Sequence, residues 1–216
     1  MANSIVQSII CRQKEVLHLI FPPLCLSCKE GRAEKWFCSA CWEQCSLADP
    51  LERCRHCFAE EERLLCAQCR RDPILCFPRA YLFDRTLPAS ILLSKIEGIE
   101  KTLAACAFVF WTKLTEDVPD AILAVPDEGG KKSIFRIAKE LACFFQRPYV
   151  RGLKRSYQAF LKPTLLCISS APSSFRHVLA LDSASSLSWL EKASTKMAEM
   201  FPRKLTIISL FNKDSP

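Results

Sequence analysis

The chain carries four C-x-x-C pairs within 45 residues, and this spacing constrains its fold more than any other feature. A C-x-x-C turn places two sulfur atoms on one side of a single turn, and a second such turn completes the tetrahedral thiolate set that zinc prefers. The spacing therefore predicts two zinc sites built as a double zinc ribbon. The predicted ligands are Cys25, Cys28, Cys38, Cys41, Cys54, Cys57, Cys66 and Cys69.

The sequence leaves open which pairs share an ion. Neighbouring pairs can combine, or Cys25/Cys28 can share an ion with Cys54/Cys57 in a crossed arrangement. His56 and Cys45 could substitute as ligands, but the regular spacing of the eight cysteines favours them as bystanders. The remaining cysteines stand singly in apolar surroundings and are predicted to be small core residues: Cys11, Cys76, Cys106, Cys143 and Cys167.

The N-terminus lacks the basic segment and small-residue cleavage site of a signal peptide, which predicts a reducing, cytoplasmic compartment and metal binding rather than disulfides. No membrane partner is expected, because the longest apolar run, 103–111, falls short of the roughly 18 residues that span a bilayer. The formal net charge of +7 favours phosphate or nucleic-acid ligands only weakly. Eight thiolates add eight negative charges and two Zn²⁺ ions add four positive charges, so the net charge falls to +3 when both sites are filled.

Beyond Cys69 the composition changes from polar and cysteine-rich to alternating apolar segments, which places a domain boundary near Asp72–Phe77. The alternation of strand and helix patterns predicts an α/β fold, a mostly parallel sheet with helices on both faces. The predicted strands cover 79–84, 121–125, 177–182 and 205–211, and the predicted helices cover 4–20, 103–114, 134–145 and 189–200.

A serine-rich turn follows the predicted strand at 177–182, whose last residue is Asp182. Ser188 and Glu191 then form a capping box that is expected to start the next helix. Helix N-termini attract anions, and ligands of parallel sheets bind at the carboxyl ends of the strands, so a phosphate could bind here. The alternative is purely structural, with Asp182 as a strand-end or capping acid and Ser188 as a helix cap.

Several segments together resemble the ComF family, which has a double zinc ribbon followed by a type I phosphoribosyltransferase-like domain and occurs in bacterial competence systems for DNA uptake. The similar segments are "LIFPPLCLSC" at 19–28, the other three C-x-x-C pairs, "YLFD" at 81–84, "ILAVP" at 122–126, "LKR" at 153–155 and "LTIISLF" at 205–211. The resemblance implies an N-terminal helix at 1–23, a double zinc ribbon at 24–72 and a phosphoribosyltransferase-like domain at 78–216.

The family binds phosphoribosyl diphosphate (PRPP) through two adjacent acids, which hydrogen-bond the ribose, and a Thr-Thr-Gly-rich loop around the phosphate. Here only Asp182 matches the acid pair, and Ser183 takes the second place. The loop has no glycine, and Leu187 and Trp189 add bulk where a phosphate needs room. The resemblance implies at most a residual site for PRPP with Mg²⁺, formed by Asp182, Ser185, Ser186 and Ser188.

Two further departures weaken the case for catalysis. Asp127 and Glu128 stand where the family has a run of arginines, and 156–176 keeps almost nothing of the family's catalytic flexible loop. Each lost contact to the diphosphate weakens the same transition state, and one such donor typically accounts for about 10²–10³ in rate. The sequence therefore favours a protein without catalytic residues, while an active transferase with a divergent loop stays the alternative.

Three functions remain as hypotheses. The first is a non-catalytic protein of DNA uptake that binds single-stranded DNA or a competence partner, such as a helicase-like or recombination-mediator protein. The second is an active PRPP-dependent phosphoribosyltransferase, and the third is a zinc-stapled scaffold for other proteins. The first relies on basic and aromatic residues around the ribbons: Lys29, Arg32, Lys35, Arg53, Arg55, Arg63, Arg70, Arg71, Trp36, Phe37 and Trp42.

Overall fold

The structure is a computed structural model. It describes residues 23–33, 36–45, 47–61, 64–73, 77–83, 91, 98–126, 133–151, 153–156, 164–167, 175–183, 187–200 and 204–211. The predicted helix at 4–20 lies outside these ranges. The chain divides into two compact units, the first formed by Met1–Ser46 with Thr86–Lys95 and the second by Leu47–Arg85 with Ile96–Pro216.

The first unit contains the first set of four cysteines. Its described part includes one short helix, α1 (Ser39–Glu43), which follows Cys38 directly. An antiparallel bridge between Leu24 and Arg32 closes the loop that carries the first C-x-x-C turn. Phe37 is completely buried and forms the interior of this small unit together with Cys25 and Cys41.

The second unit is built around a five-stranded parallel sheet and also contains the second set of cysteines, the last of which lies in the short helix α2 (Ala67–Arg71). The strand order is β1-β7-β6-β2-β3, and every neighbouring pair is parallel. The sheet strands are β1 (Arg79–Phe83), β2 (Ala121–Ala124), β3 (Tyr149–Val150), β6 (His177–Asp182) and β7 (Lys204–Phe211), and the longer helices are α3 (Glu100–Leu114), α4 (Ser133–Phe145) and α5 (Leu187–Met200).

Strands β2 and β6 are buried along their whole length, and β7 is buried beyond its first residue, as expected for a parallel sheet covered on both faces. On one face, Trp189, Leu190, Ala193 and Met197 of α5 pack against alternate residues of β2, β6 and β7. The intervening residues of these strands are equally buried, and α4 contacts both β2 and β6. The α/β fold predicted from the sequence is therefore confirmed.

Several elements differ from the sequence prediction. Strands β4 (Leu153–Ser156) and β5 (Thr164–Cys167) form an antiparallel hairpin in and beside the segment expected to have lost the family's flexible loop. Helix α3 begins three residues earlier than predicted. Helix α5 begins at Leu187, two residues earlier than predicted, so Ser188 lies inside its first turn. Among the described residues, no helix has both the length and the apolar character needed to cross a bilayer.

Candidate metal centres and strand-end site

The eight predicted ligands form two separate groups of four sulfur atoms. In each group the Sγ atoms lie within 4.8 Å of one another. The Cys28 and Cys38 sulfurs are 3.8 Å apart, and the Cys57 and Cys66 sulfurs are 3.7 Å apart. A tetrahedron with Zn–S bonds of about 2.3 Å has sulfurs about 3.8 Å apart, so both groups have the size that a zinc ion requires.

The grouping also settles which pairs combine. Cys25 and Cys28 join Cys38 and Cys41, and the second group consists of Cys54, Cys57, Cys66 and Cys69. The crossed arrangement is therefore wrong. His56 and Cys45 belong to neither group, in agreement with their expected role as bystanders. Cys143 is exposed on α4, so its predicted place in the core was wrong.

Each centre combines a tight turn with the start of a one-turn helix. The turns close through hydrogen bonds from Lys29 N to Cys25 O (3.0 Å) and from Phe58 N to Cys54 O (2.8 Å). Lys29 and Phe58 both adopt left-handed backbone conformations, with φ of 62° and 64°. Cys66 caps α2 by accepting a hydrogen bond from Cys69 N at 3.4 Å. Backbone N–H groups therefore point at the sulfur atoms, which stabilises thiolates.

The electrostatics of the two centres show why four such sulfurs need a cation. Burial would raise the pKa of Cys25, but the backbone N–H groups of Cys38, Cys28 and Ser27 outweigh it and lower that pKa to about 6. Cys54 has the same balance and a pKa of about 6. Burial and the neighbouring thiols raise the pKa of Cys41 to about 12. One thiol in each centre therefore ionises readily, and a bound cation is required before all four can.

Aromatic rings surround the first centre, but they are not all available to a ligand. Phe37 is fully buried and meets Trp42 edge-on, with the ring centroids 5.2 Å apart. Trp36 and Trp42 are half-buried, and their centroids are 6.3 Å apart. Phe37 therefore serves the interior of the unit, and its predicted use as a stacking platform was wrong.

The second centre is attached to the sheet core by one aromatic side chain and one backbone hydrogen bond. Phe58 follows the ligand Cys57, is only 2% exposed, and places its ring 5.7 Å from Phe110 of α3 and 6.0 Å from Tyr81 of β1. At the start of β1, Arg79 N donates to His56 O at 2.7 Å. Sequence reasoning missed this role of Phe58; its apolar character beside a ligand pair was the available signal.

At the other end of the sheet, Asp182 is the last residue of β6, as predicted, and is completely buried. Its register partner on β7 is Ser209, whose hydroxyl accepts a hydrogen bond from Arg79 Nε at 3.2 Å. Ser183 is also buried, and its carbonyl accepts a hydrogen bond from Phe211 N. Asp182 therefore belongs to a row of buried polar residues across the strands.

Trp189 closes the space between the start of α5 and the end of β2. Its ring is buried in the core cluster, and its Nε1 donates to the carbonyl of Pro126 at 2.9 Å. Ser188, one residue earlier, is exposed. Ser185 and Ser186 lie outside the described residues. Of the four residues predicted for a residual phosphate site, the structure thus describes one buried acid and one exposed hydroxyl.

The chain matches no model of a known protein family and no curated protein. Its two four-cysteine groups and its parallel sheet fit the general description of the family that the sequence resembles. The fold and the sites define the chain as an α/β protein with two N-terminal four-cysteine groups, each able to hold a metal ion, consistent with zinc.

Proposed function

We propose that this chain is a ComF-like, zinc-dependent protein of cytoplasmic DNA uptake that binds single-stranded DNA and does not transfer phosphoribosyl groups. Both four-cysteine groups hold Zn²⁺ in this proposal. Thiolate ligands in tetrahedral sets of four favour zinc over harder ions such as Mg²⁺, and the sulfur separations of 3.7 and 3.8 Å support that choice.

The observation that carries the non-catalytic part is the burial of Trp189 at the start of α5. Its indole is held by the Pro126 carbonyl and by the core, next to the turn where the family would wrap a phosphate. Asp182 has no exposed surface, which favours a structural role for its carboxylate over contact with a ribose. Both features support a strand end that is closed to PRPP.

The nucleic-acid part is supported by exposed cations on both cysteine-bearing segments. Single-stranded DNA is bound by positive charge along its backbone and by aromatic faces, without sequence readout. Trp36 and Trp42 are half-buried and retain some accessible ring surface. The exposed cations described on the two segments are Lys29, Arg32, Arg55, Arg70 and Arg71.

The test is a binding titration of zinc-replete protein with a short labelled oligothymidylate at several salt concentrations. We expect saturable binding. The logarithm of the binding constant should fall linearly with the logarithm of the salt concentration, with a slope of about 0.7 for each phosphate neutralised. In parallel, Mg²⁺–PRPP should leave the melting temperature unchanged, because a ligand that binds only the folded state would raise it. Absent or salt-independent DNA binding, or a saturable rise with PRPP, would contradict the proposal.

A second candidate function, a protein-interaction scaffold, is favoured by exposed leucines beside the second metal centre. Leu51 and Leu64 are 74% and 63% exposed. Exposed apolar side chains of this kind occur in protein-binding surfaces. This reading predicts capture of a competence partner, of the helicase-like or recombination-mediator kind, with no affinity for the oligothymidylate. Replacing Leu64 by serine should weaken the capture and leave any DNA binding unchanged.

A further inference from the structure

A cavity of about 400 Å³ opens in the second unit at the amino ends of the strands, at the opposite edge of the sheet from Asp182. The first residues of three strands line it, Arg79 of β1, His177 of β6 and Lys204 of β7. The loop of the second metal centre forms another wall through Arg55 and Phe58. Its size lies in the range of small-molecule sites, about 300–1,000 Å³.

The charged residues lining this cavity are all cations. They are Arg55, Arg79, Lys113 and Lys204, and no aspartate or glutamate is among the lining residues that the structure describes. Lys204 forms an ion pair with Asp117 beside the cavity. The exposed side chains of Arg55 and Lys113 make no ion pair with any described residue. Two cations are therefore available to an incoming anion.

Uncharged hydrogen-bonding groups complete the lining. Thr115 and Thr206 line the cavity, and Thr206 Oγ1 lies 3.1 Å from His177 Nε2. Burial, followed by the charge of Lys204, lowers the pKa of His177 to about 4, against the opposite effect of Asp117 and Asp120. The imidazole is therefore neutral at physiological pH and adds a hydrogen-bonding group without a charge.

The metal centre itself positions Arg55. This residue lies between the ligands Cys54 and Cys57, and its backbone N donates to Leu64 O at 2.8 Å. Lys113 is carried by the last turn of α3, whose neighbouring Trp111 is buried. Two independent rigid elements thus present cations to the same cavity, as a preorganised anion site requires.

We propose that this cavity binds the phosphate group of a nucleotide, with Arg55 and Lys113 as its cationic contacts. Arginine contacts a phosphate through two parallel N–H groups, and lysines add point charge. The nucleotide can be a free monophosphate or one unit of single-stranded DNA, and only the second source rests on the function proposed above.

The experiment measures binding of thymidine monophosphate by calorimetry and of the labelled oligothymidylate by anisotropy, on full-length, zinc-replete protein. The variants are Arg55→Ala and Lys113→Ala. Arg147→Ala and Lys101→Ala are matched controls, because they remove the same charges from the turn after α4 and from the other end of α3, outside the cavity lining. We expect each cavity variant to weaken monophosphate binding about ten-fold and each control to change it less than about two-fold.

For the oligothymidylate, each cavity variant should also reduce the salt slope by about 0.7, the value for one phosphate contact. Equal losses in all four variants, or no monophosphate binding by the unmodified protein at low salt, would overturn the cavity proposal. If the cavity variants weaken monophosphate binding but leave DNA binding intact, the cavity binds a free monophosphate and not a unit of DNA, while the function proposed above would survive. Monophosphate binding without DNA binding would support the cavity proposal and contradict the function proposed above. Lys113→Ala keeps the test valid if Arg55→Ala loses zinc, because α3 carries no metal ligand.

Discussion

The two metal centres share one backbone design and differ in what surrounds it. Each turn closes onto a residue with a left-handed backbone, Lys29 in the first centre and Phe58 in the second. The next hydrogen bond is equivalent as well, from Leu26 N to Trp36 O and from Arg55 N to Leu64 O. The two centres therefore share their backbone, and the side chains at the left-handed positions can serve other uses.

The equivalent positions face different environments. Lys29 is exposed, whereas the ring of Phe58 lies between Tyr81 and Phe110 in the sheet unit. The left-handed conformation costs a non-glycine residue about 1–3 kcal/mol, and the buried ring offers a compensating gain that Lys29 lacks. The comparison teaches that a single side chain decides whether such a centre is self-contained or part of a neighbouring core.

Removing one ligand from each centre should produce the largest contrast. Cys57→Ser should destabilise the sheet unit by several kcal/mol, because structural zinc contributes about 10–16 kcal/mol to the segments it folds. Cys28→Ser should also lose one equivalent of zinc but leave the sheet intact. Hydrogen exchange of the β1 and β7 amides, together with zinc content, measures both effects. Equal exchange in the two variants would show that the second centre does not support the sheet.

Substitution at the two left-handed positions isolates the side chain from the backbone. Phe58→Ala should lower the free energy of unfolding by about 3–5 kcal/mol, the usual cost of removing a buried phenylalanine ring. Lys29→Ala is the matched control, because alanine meets the same backbone strain there, and it should change stability by no more than about 0.5 kcal/mol. Urea unfolding of zinc-saturated protein tests this. A similar loss in both variants would assign the effect to the backbone.

The first centre has its own steric requirement, at Gly31. A Cβ atom there would lie 2.8 Å from Cys38 Cβ and 3.0 Å from its Sγ. Gly31→Ala should therefore weaken zinc binding at the first centre by about 1–3 kcal/mol, the range for overpacking. Competition with a chelator measures this. Gly31 O accepts a hydrogen bond from Cys25 N, and Ala59 O accepts the equivalent bond from Cys54 N in the second centre. Ala59→Gly is therefore the control and should leave zinc binding at the second centre nearly unchanged.

Lowering the pH should destabilise the sheet unit through His177, by less than the substitutions described above. Because burial lowers its pKa from 6.5 to about 4, the unfolded chain takes up the proton first, and stability is lost as pH falls from 6.5 towards 4. We expect a loss of about 1 kcal/mol by about pH 5.5. His177→Gln should remove this part of the pH dependence, with zinc content checked at each pH. An unchanged pH profile in the variant would contradict the assignment.

Much of the fold follows from local patterns in the sequence. The strand at 177–182 was predicted with its observed bounds, because a buried apolar run ends at an acid followed by turn residues. The hairpin of β4 and β5 was not predicted, since its first strand, "LKRS", has no apolar alternation. Helix α5 starts at Leu187 rather than after Ser188, and burial of Trp189 in the same turn is the tertiary contact that accompanies this start.

The candidate metal ligands could be predicted from the sequence, because thiolate ligation requires a fixed spacing. The cavity could not be predicted. Its cations come from segments far apart in sequence, Arg55, Lys113 and Lys204, and only the folded chain brings them together. The partition of the cysteines was also beyond the sequence, because pairs separated by short loops can combine in more than one way. Long-range proximity of this kind leaves no local periodicity to detect.

The strand order has a consequence for the order of events during translation. Strand β1 is made early, yet its sheet partner is β7, with Arg79 opposite Ile207. The ribosome must therefore complete nearly the whole chain before β1 can pair with its neighbour. During that interval the second cysteine-bearing turn, already synthesised, can hold the first residue of β1 through the carbonyl of His56 and so shield an exposed strand edge from other partners.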